Sequence, residues 1–130
     1  MKRLTAPVLV AGLGAAFFSG VVRRYVVQGR SMLQAYKPGD RLVVESVTFR
    51  TRAPRVGEVV VVVQHSTMGR LDLKRIAAAP GAEVTVGGAT DFLGHDEWYV
   101  VGDTLGESTD SRQLGPVKTR DIVGRAWFRY

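Results

Sequence analysis

Residues 28–44 read QGRSMLQAYKPGDRLVV, and the way this stretch divides decides the fold. Lys37-Pro38-Gly39-Asp40 is turn chemistry, with proline preset for the first corner and glycine free to take the second. Arg41-Leu42-Val43-Val44-Glu45 then reads as a strand. Upstream, LTAPVLVAGLGAAFFSGVV from Leu4 to Val22 carries no charge and is flanked by Lys2 and Arg3 before it and Arg23 and Arg24 after it. As a helix that run would span about 28 Å, close to a bilayer's hydrocarbon thickness. Ser31 therefore falls between an apolar segment and a first strand. It is either a polar connector or a nucleophile that needs a proton acceptor.

The apolar run is long for a cleaved signal sequence, so a retained anchor over residues 1–24 is expected, followed by a β-rich domain over 25–130. Charge flanks favour a cytoplasmic domain, with Arg23, Arg24, Arg30, Lys37 and Arg41 on the domain side of the anchor. The rest of the chain alternates short β runs with turns. The runs are residues 41–45, 58–65, 71–77, 83–86, 98–101 and 122–130. Pro54 to Gly57, Pro80-Gly81, Gly87-Gly88 and Gly102-Asp103 supply the turns between them. No later segment shows a helical period. The expected architecture is mainly β, an antiparallel sandwich or open barrel preceded by one transmembrane helix.

Composition narrows the chemistry. A chain of 130 residues holds one domain and one core. With no cysteine there is no disulfide scaffold, thiolate zinc site or cysteine nucleophile. The net charge of +6 is spread along the chain without a basic run or interleaved aromatics, so nucleic-acid binding is not expected.

For Ser31 the possible bases are few. His65 ends a strand at a hairpin turn, and His95 sits in the polar stretch Gly94-His95-Asp96-Glu97. Neither is in a strand interior that would hold its ring, and no serine lies in a G-x-S-x-G elbow. Among the lysines, Lys74 alone lies inside an apolar strand. Strand alternation puts it on one face with Asp72, Ile76 and Ala78. Burial there would lower its pKa. Acting as a base near neutrality requires a drop of roughly three units, about 4 kcal/mol. The competing reading is a surface lysine paired with Asp72.

Four blocks in order, taken together, resemble the type I signal peptidases, membrane-bound serine proteases with a Ser–Lys dyad. GRSMLQAYKPGD (29–40) matches their nucleophile block G-x-S-M-x-P-T-L-x-x-G-D. KRIAAAPGAEV (74–84) matches the lysine block, and GDTLGESTDSRQLGPV (102–117) a third block. Ile122-Val123-Gly124-Arg125 matches the last. The chain departs from the pattern at Gln34, Ala35-Tyr36, Ala78, Ala82 and Thr104, none of them in the dyad. The interval from Val86 to Trp98 has no room for the extra domain of larger members.

The resemblance implies that Ser31 attacks the scissile carbonyl and neutral Lys74 accepts its proton, with the Ser31 N–H steadying the oxyanion. Ser108 would orient the lysine, and Asp110 and Arg112 would brace the site. Gly102-Asp103 would form the turn that feeds it. Gly29 would stand where some relatives place a side-chain donor, and Met32, Leu33 and Gln34 would line the substrate groove. It implies no cofactor and no metal. It also implies a precursor substrate with small residues at the first and third positions before the cut, and a catalytic domain at the plasma membrane facing away from the cytoplasm, against the charge count. Alternatives are a maturation protease for a single precursor, such as a metalloenzyme, or a membrane-tethered β adaptor with a decayed site. Self-cleaving repressors share the dyad but carry a DNA-binding domain where this chain has the apolar segment. The sequence names neither the precursor nor a partner subunit.

Overall fold

The computed structural model describes residues 21–64 and 69–130. Residues 1–20 of the expected transmembrane anchor, and His65, lie outside the described residues. Among those described, no helix is long and apolar enough to cross a membrane.

The chain is mainly β. In order it forms β1 (Val22–Val26), β2 (Arg41–Glu45), helix α1 (Thr48–Thr51), β3 (Val59–Gln64), β4 (Arg70–Ala78), β5 (Glu83–Val86), β6 (Ala89–Phe92) and β7 (Glu97–Val101). Helix α2 (Ser111–Leu114), β8 (Val117–Lys118), a 3-10 turn (Thr119–Asp121) and β9 (Ile122–Arg129) complete it. Seven strands make one sheet in the order β1-β2-β9-β3-β4-β7-β8, and β5 and β6 form a separate hairpin. Every paired neighbour is antiparallel.

The sheet is covered on both faces near its centre. Val61 packs with Val27, Met32, Leu42, Val44 and Leu73, whereas Val60 and Val62 join Ile76, Trp98 and Val100. A strand buried on both sides needs apolar residues at every position, which accounts for the unbroken valines of β3. At β9, a methyl group on Gly124 would lie 2.7 Å from the Glu45 carbonyl oxygen. The glycine is thus required by the close approach of β9 to β2. Arg125 beside it donates Nε–H to Glu45 Oε1 at 2.9 Å.

Two expectations are corrected here. The alternation of β4 holds from Asp72 to Ile76, but the β4–β7 register shifts between Ile76 and Ala78. Ala78 therefore leaves the Lys74 face and packs with Leu93 and Tyr99. The sheet also begins earlier than expected. Val22, Arg23 and Arg24, read as the end and flank of the anchor, already pair with Glu45, Val44 and Val43.

Candidate active site

Ser31 sits in the loop between β1 and β2, which is tied at its neck. Val27 N–H donates to the Asp40 carbonyl at 2.9 Å and Gly39 N–H to the Val27 carbonyl at 2.8 Å. Gly39 takes φ +90°, and Asp40 Oδ2 accepts the Lys37 N–H at 2.8 Å. The Pro-Gly-Asp turn thus closes the loop that carries the serine. Gly29, two residues before Ser31, has φ +76°, a left-handed geometry that a side chain disfavours.

Met32 fixes the loop from below. It was expected to line the groove, but its side chain is 2% exposed within the first core cluster, and its sulfur accepts the Asp103 N–H at 3.4 Å. An apolar side chain next to the serine is held down by burial, so the backbone at Ser31 cannot drift. Leu33 is half-buried and Gln34 exposed.

The opposite wall is strand β4. Lys74 is 3% exposed, and its Nζ donates to Ser108 Oγ at 2.9 Å. Ser108 in turn donates to Asp110 Oδ2 at 2.6 Å. The serine's single hydrogen is therefore committed to the carboxylate, and toward the lysine Ser108 can only accept. Lys74 is held as a donor to Ser108, and when neutral it keeps its lone pair for a different proton. Burial is the main influence on Lys74 and lowers its pKa. Asp72 and Asp110 pull it up, while Arg112 and Arg70 push it down.

Asp110 is fully buried and saturated with donors. Arg112 reaches it through Nε at 2.9 Å and Nη2 at 2.6 Å, and the Gly102 N–H at 2.8 Å. Burial alone would raise the carboxyl, but these bonds outweigh it and hold the pKa down at about 2. Asp110 also caps α2. Its side chain accepts the Arg112 N–H at 3.1 Å, while Gln113 Oε1 accepts the Asp110 N–H at 2.9 Å. The Arg112 charge offsets that of Asp110 at the lysine. The pair can orient Ser108 without pinning Lys74 in its protonated form.

Gly102 joins the two walls. A Cβ there would lie 2.6 Å from Ser108 Cβ and 2.8 Å from Ser31 Cβ, so both side chains crowd the space this glycine leaves open. Ser31 and Lys74 line one cavity of about 250 Å³ together with Gly29, Asp72, Glu107 and Thr109. A larger hollow of about 850 Å³ beside Phe49 and Trp98 is bordered by the exposed His95 and contains no serine or lysine. The histidine alternative thus finds no support at His95.

Two further residues escaped the sequence reading. Thr104 appeared only as a departure from the pattern, yet its N–H donates to the Ser31 carbonyl at 2.8 Å and its Oγ1 accepts the Leu33 N–H at 3.2 Å. Arg75 grips Asp103 with Nε and Nη2, both at 2.8 Å, and the Gly57 carbonyl with Nη1 at 2.8 Å. The turn at Gly102-Asp103 is therefore tied to β4 one residue past the lysine. The signal for Arg75 was its place beside Lys74; for Thr104 there was none beyond its position in the block.

The family model described as signal peptidase, peptidase S26, matches residues 1–91 and 85–130. The chain belongs to the signal peptidase family. It is similar to a probable signal peptidase I-1 of Synechocystis sp., 28% identical over 152 residues, covering 94% of this chain and 76% of the relative. A signal peptidase I of Leptolyngbya laminosa is 26% identical, with 92% and 75% of the two chains covered. A mitochondrial ATP-independent inner membrane protease subunit 1a of Arabidopsis thaliana is 34% identical over 125 residues, 84% of this chain and 73% of the relative. Signal peptidases are serine endopeptidases that act on precursor proteins and are associated with membranes, and this chain is one of them by family.

Proposed function

We propose that this signal peptidase is a single-pass membrane enzyme that removes leader peptides after small residues, with Ser31 as nucleophile and Lys74 as general base. The apolar run that precedes β1 serves as the anchor, and the chain from Val22 onward is the peptidase domain, on the side of the membrane away from the cytoplasm. The observation that carries this reading is the buried Lys74 amine, held by Ser108 in the same cavity as Ser31.

Ser31 Oγ attacks the scissile carbonyl as Lys74 Nζ takes its proton, giving a tetrahedral oxyanion that the Ser31 N–H steadies. The C–N bond then breaks, and the lysine passes the proton to the leaving amine. Water adds to the acyl-serine with Lys74 again as base, the acyl C–Oγ bond breaks as Lys74 returns the proton to Ser31 Oγ, and the carboxylate product leaves. Through the cycle Ser108 holds the amine in place, and Asp110 and Arg112 hold Ser108.

Strand β4 also offers the substrate a place to lie. Residues 70–75 pair with β3 on one side, while β7 reaches β4 only from Arg75 onward. The other edge from Arg70 to Lys74 pairs with no strand among the described residues and meets only the Tyr25 hydroxyl, which donates to the Leu71 carbonyl at 3.5 Å, while Arg70, Asp72 and Lys74 line the cavity beside Ser31. An extended leader can add there as a strand.

The test is cleavage of a precursor with alanine at the first and third positions before the cut, using the full chain in detergent. N-terminal sequencing of the product locates the cut. Wild type is expected to cut after the second alanine, and Ser31→Ala to give no product above background. Equal cleavage by folded Ser31→Ala would overturn the assignment.

A further inference from the structure

Asp72 is a charged residue in a groove where the proposed chemistry calls only for small apolar pockets. It lies two residues before Lys74 on the same strand face and lines the same cavity as Ser31. Its side chain is 20% exposed, and its ion pair with Arg70 is loose, at 3.8 Å to an arginine that is 67% exposed. A half-buried carboxylate with so weak a partner gains from a closer donor.

The strand edge decides which part of a substrate would supply that donor. Beyond Lys74 the edge is taken by β7, so a peptide can run only along Arg70 to Lys74, past Asp72. A strand advances about 3.3 Å per residue, so Asp72 lies roughly two residues from the cut. If the residues recognised before the cut lie along this edge, those two or three places ahead of it pass the carboxylate.

We propose that Asp72 is a specificity-determining residue that favours precursors with a basic side chain at the second or third position before the cut. This rests on the peptidase reading above. A bound lysine or arginine displaces Arg70 and satisfies the carboxylate. It also quiets a charge that acts on the base. Lys74 is faced by Asp72 and Arg70 from its own strand, by Asp110 and Arg112 from the helix cap, and by Arg30 and Glu107 from the cavity rim, and Tyr25 of β1 lies beside Asp72. Asp110 is already matched by Arg112, and Arg30 by Glu107 at 3.4 Å. Asp72 is the least matched anion of the set, and it favours the protonated, inactive lysine. A basic substrate thus activates the base that cleaves it.

The experiment uses the full chain in detergent and three precursors that differ only at the second position before the cut: lysine, alanine or glutamate. A second set varies the third position. Wild type is expected to show kcat/KM for lysine about tenfold above glutamate in at least one set, which is about 1.4 kcal/mol. Asp72→Asn should reduce the ratio below about twofold and move the acid limb of its pH profile to lower pH. Asp72→Glu should keep the preference. A wild type that cuts all precursors at equal rates overturns this inference and leaves the peptidase reading intact. So does an Asp72→Asn variant that keeps the full preference. A wild type that cuts none of them overturns both.

Discussion

At the residue scale, the proposed base is a buried lysine whose pKa is lowered by that burial, beside a buried carboxylate, Asp110, that Arg112 matches. Lys74 supplies the amine, burial lowers its pKa, and Ser108 fixes its direction. Ser108→Ala removes that orientation without touching the nucleophile, so kcat should fall about 10²-fold while KM stays within about twofold. Steady-state kinetics on the alanine precursor checks it, and a change confined to KM would contradict the role. Gly102→Ala should be more severe than Ser108→Ala, because the added methyl displaces Ser31 and Ser108 together. Its kcat/KM is expected to fall at least 10³-fold while circular dichroism stays that of the wild type.

At the element scale, the sequence was read correctly wherever a strand was long and apolar. The valines of β3 and the alternation around Lys74 both announced themselves, and the resemblance supplied Ser108, Asp110 and Arg112 as neighbours of the lysine. Other elements left weaker signals. β1 was hidden because Val22, Arg23 and Arg24 sit against an apolar run, where basic residues read as a membrane flank. The two helices are one turn each, too short for a 3.6-residue period to appear. The bulge before Ala78 has no sequence mark, and it overrides the alternation that placed Ala78 beside Lys74. Met32 was assigned to the groove because it follows the serine, yet an unbranched apolar side chain also fills a core gap, and here it does. The β9 crossing gives a test of the fold. Gly124→Ala forces strand β9 away from the Glu45 carbonyl and should cost about 2 kcal/mol, read from the urea midpoint, with the local rate of cleavage little changed.

At the scale of the whole molecule, the brace ties stability to pH. The Asp110 pKa is held at about 2, below its ordinary value, so its stabilisation is complete above about pH 4 and is lost as the pH falls toward 2. That loss is on the order of 2 kcal/mol. Unfolding by urea between pH 7 and pH 2.5 should show it, and Asp110→Asn should be less stable at pH 7 but flatter across the range. Equal slopes for the two proteins would contradict it. The proposed anchor has its own test, and because β1 begins at Val22 the cut must come earlier. The full chain should stay in the membrane pellet after alkaline carbonate, and a chain lacking residues 1–20 should leave it.

The claim on which the rest depends is that Lys74 takes the proton of Ser31. It is tested most directly by kcat/KM for the alanine precursor from pH 5 to 10, in wild type and in Lys74→Ala. The wild-type rate is expected to rise with pH through a single ionisation below the ordinary lysine value, and the Lys74→Ala rate to be lower by at least 10³-fold. Retention of both the rate and the ionisation in folded Lys74→Ala would contradict it.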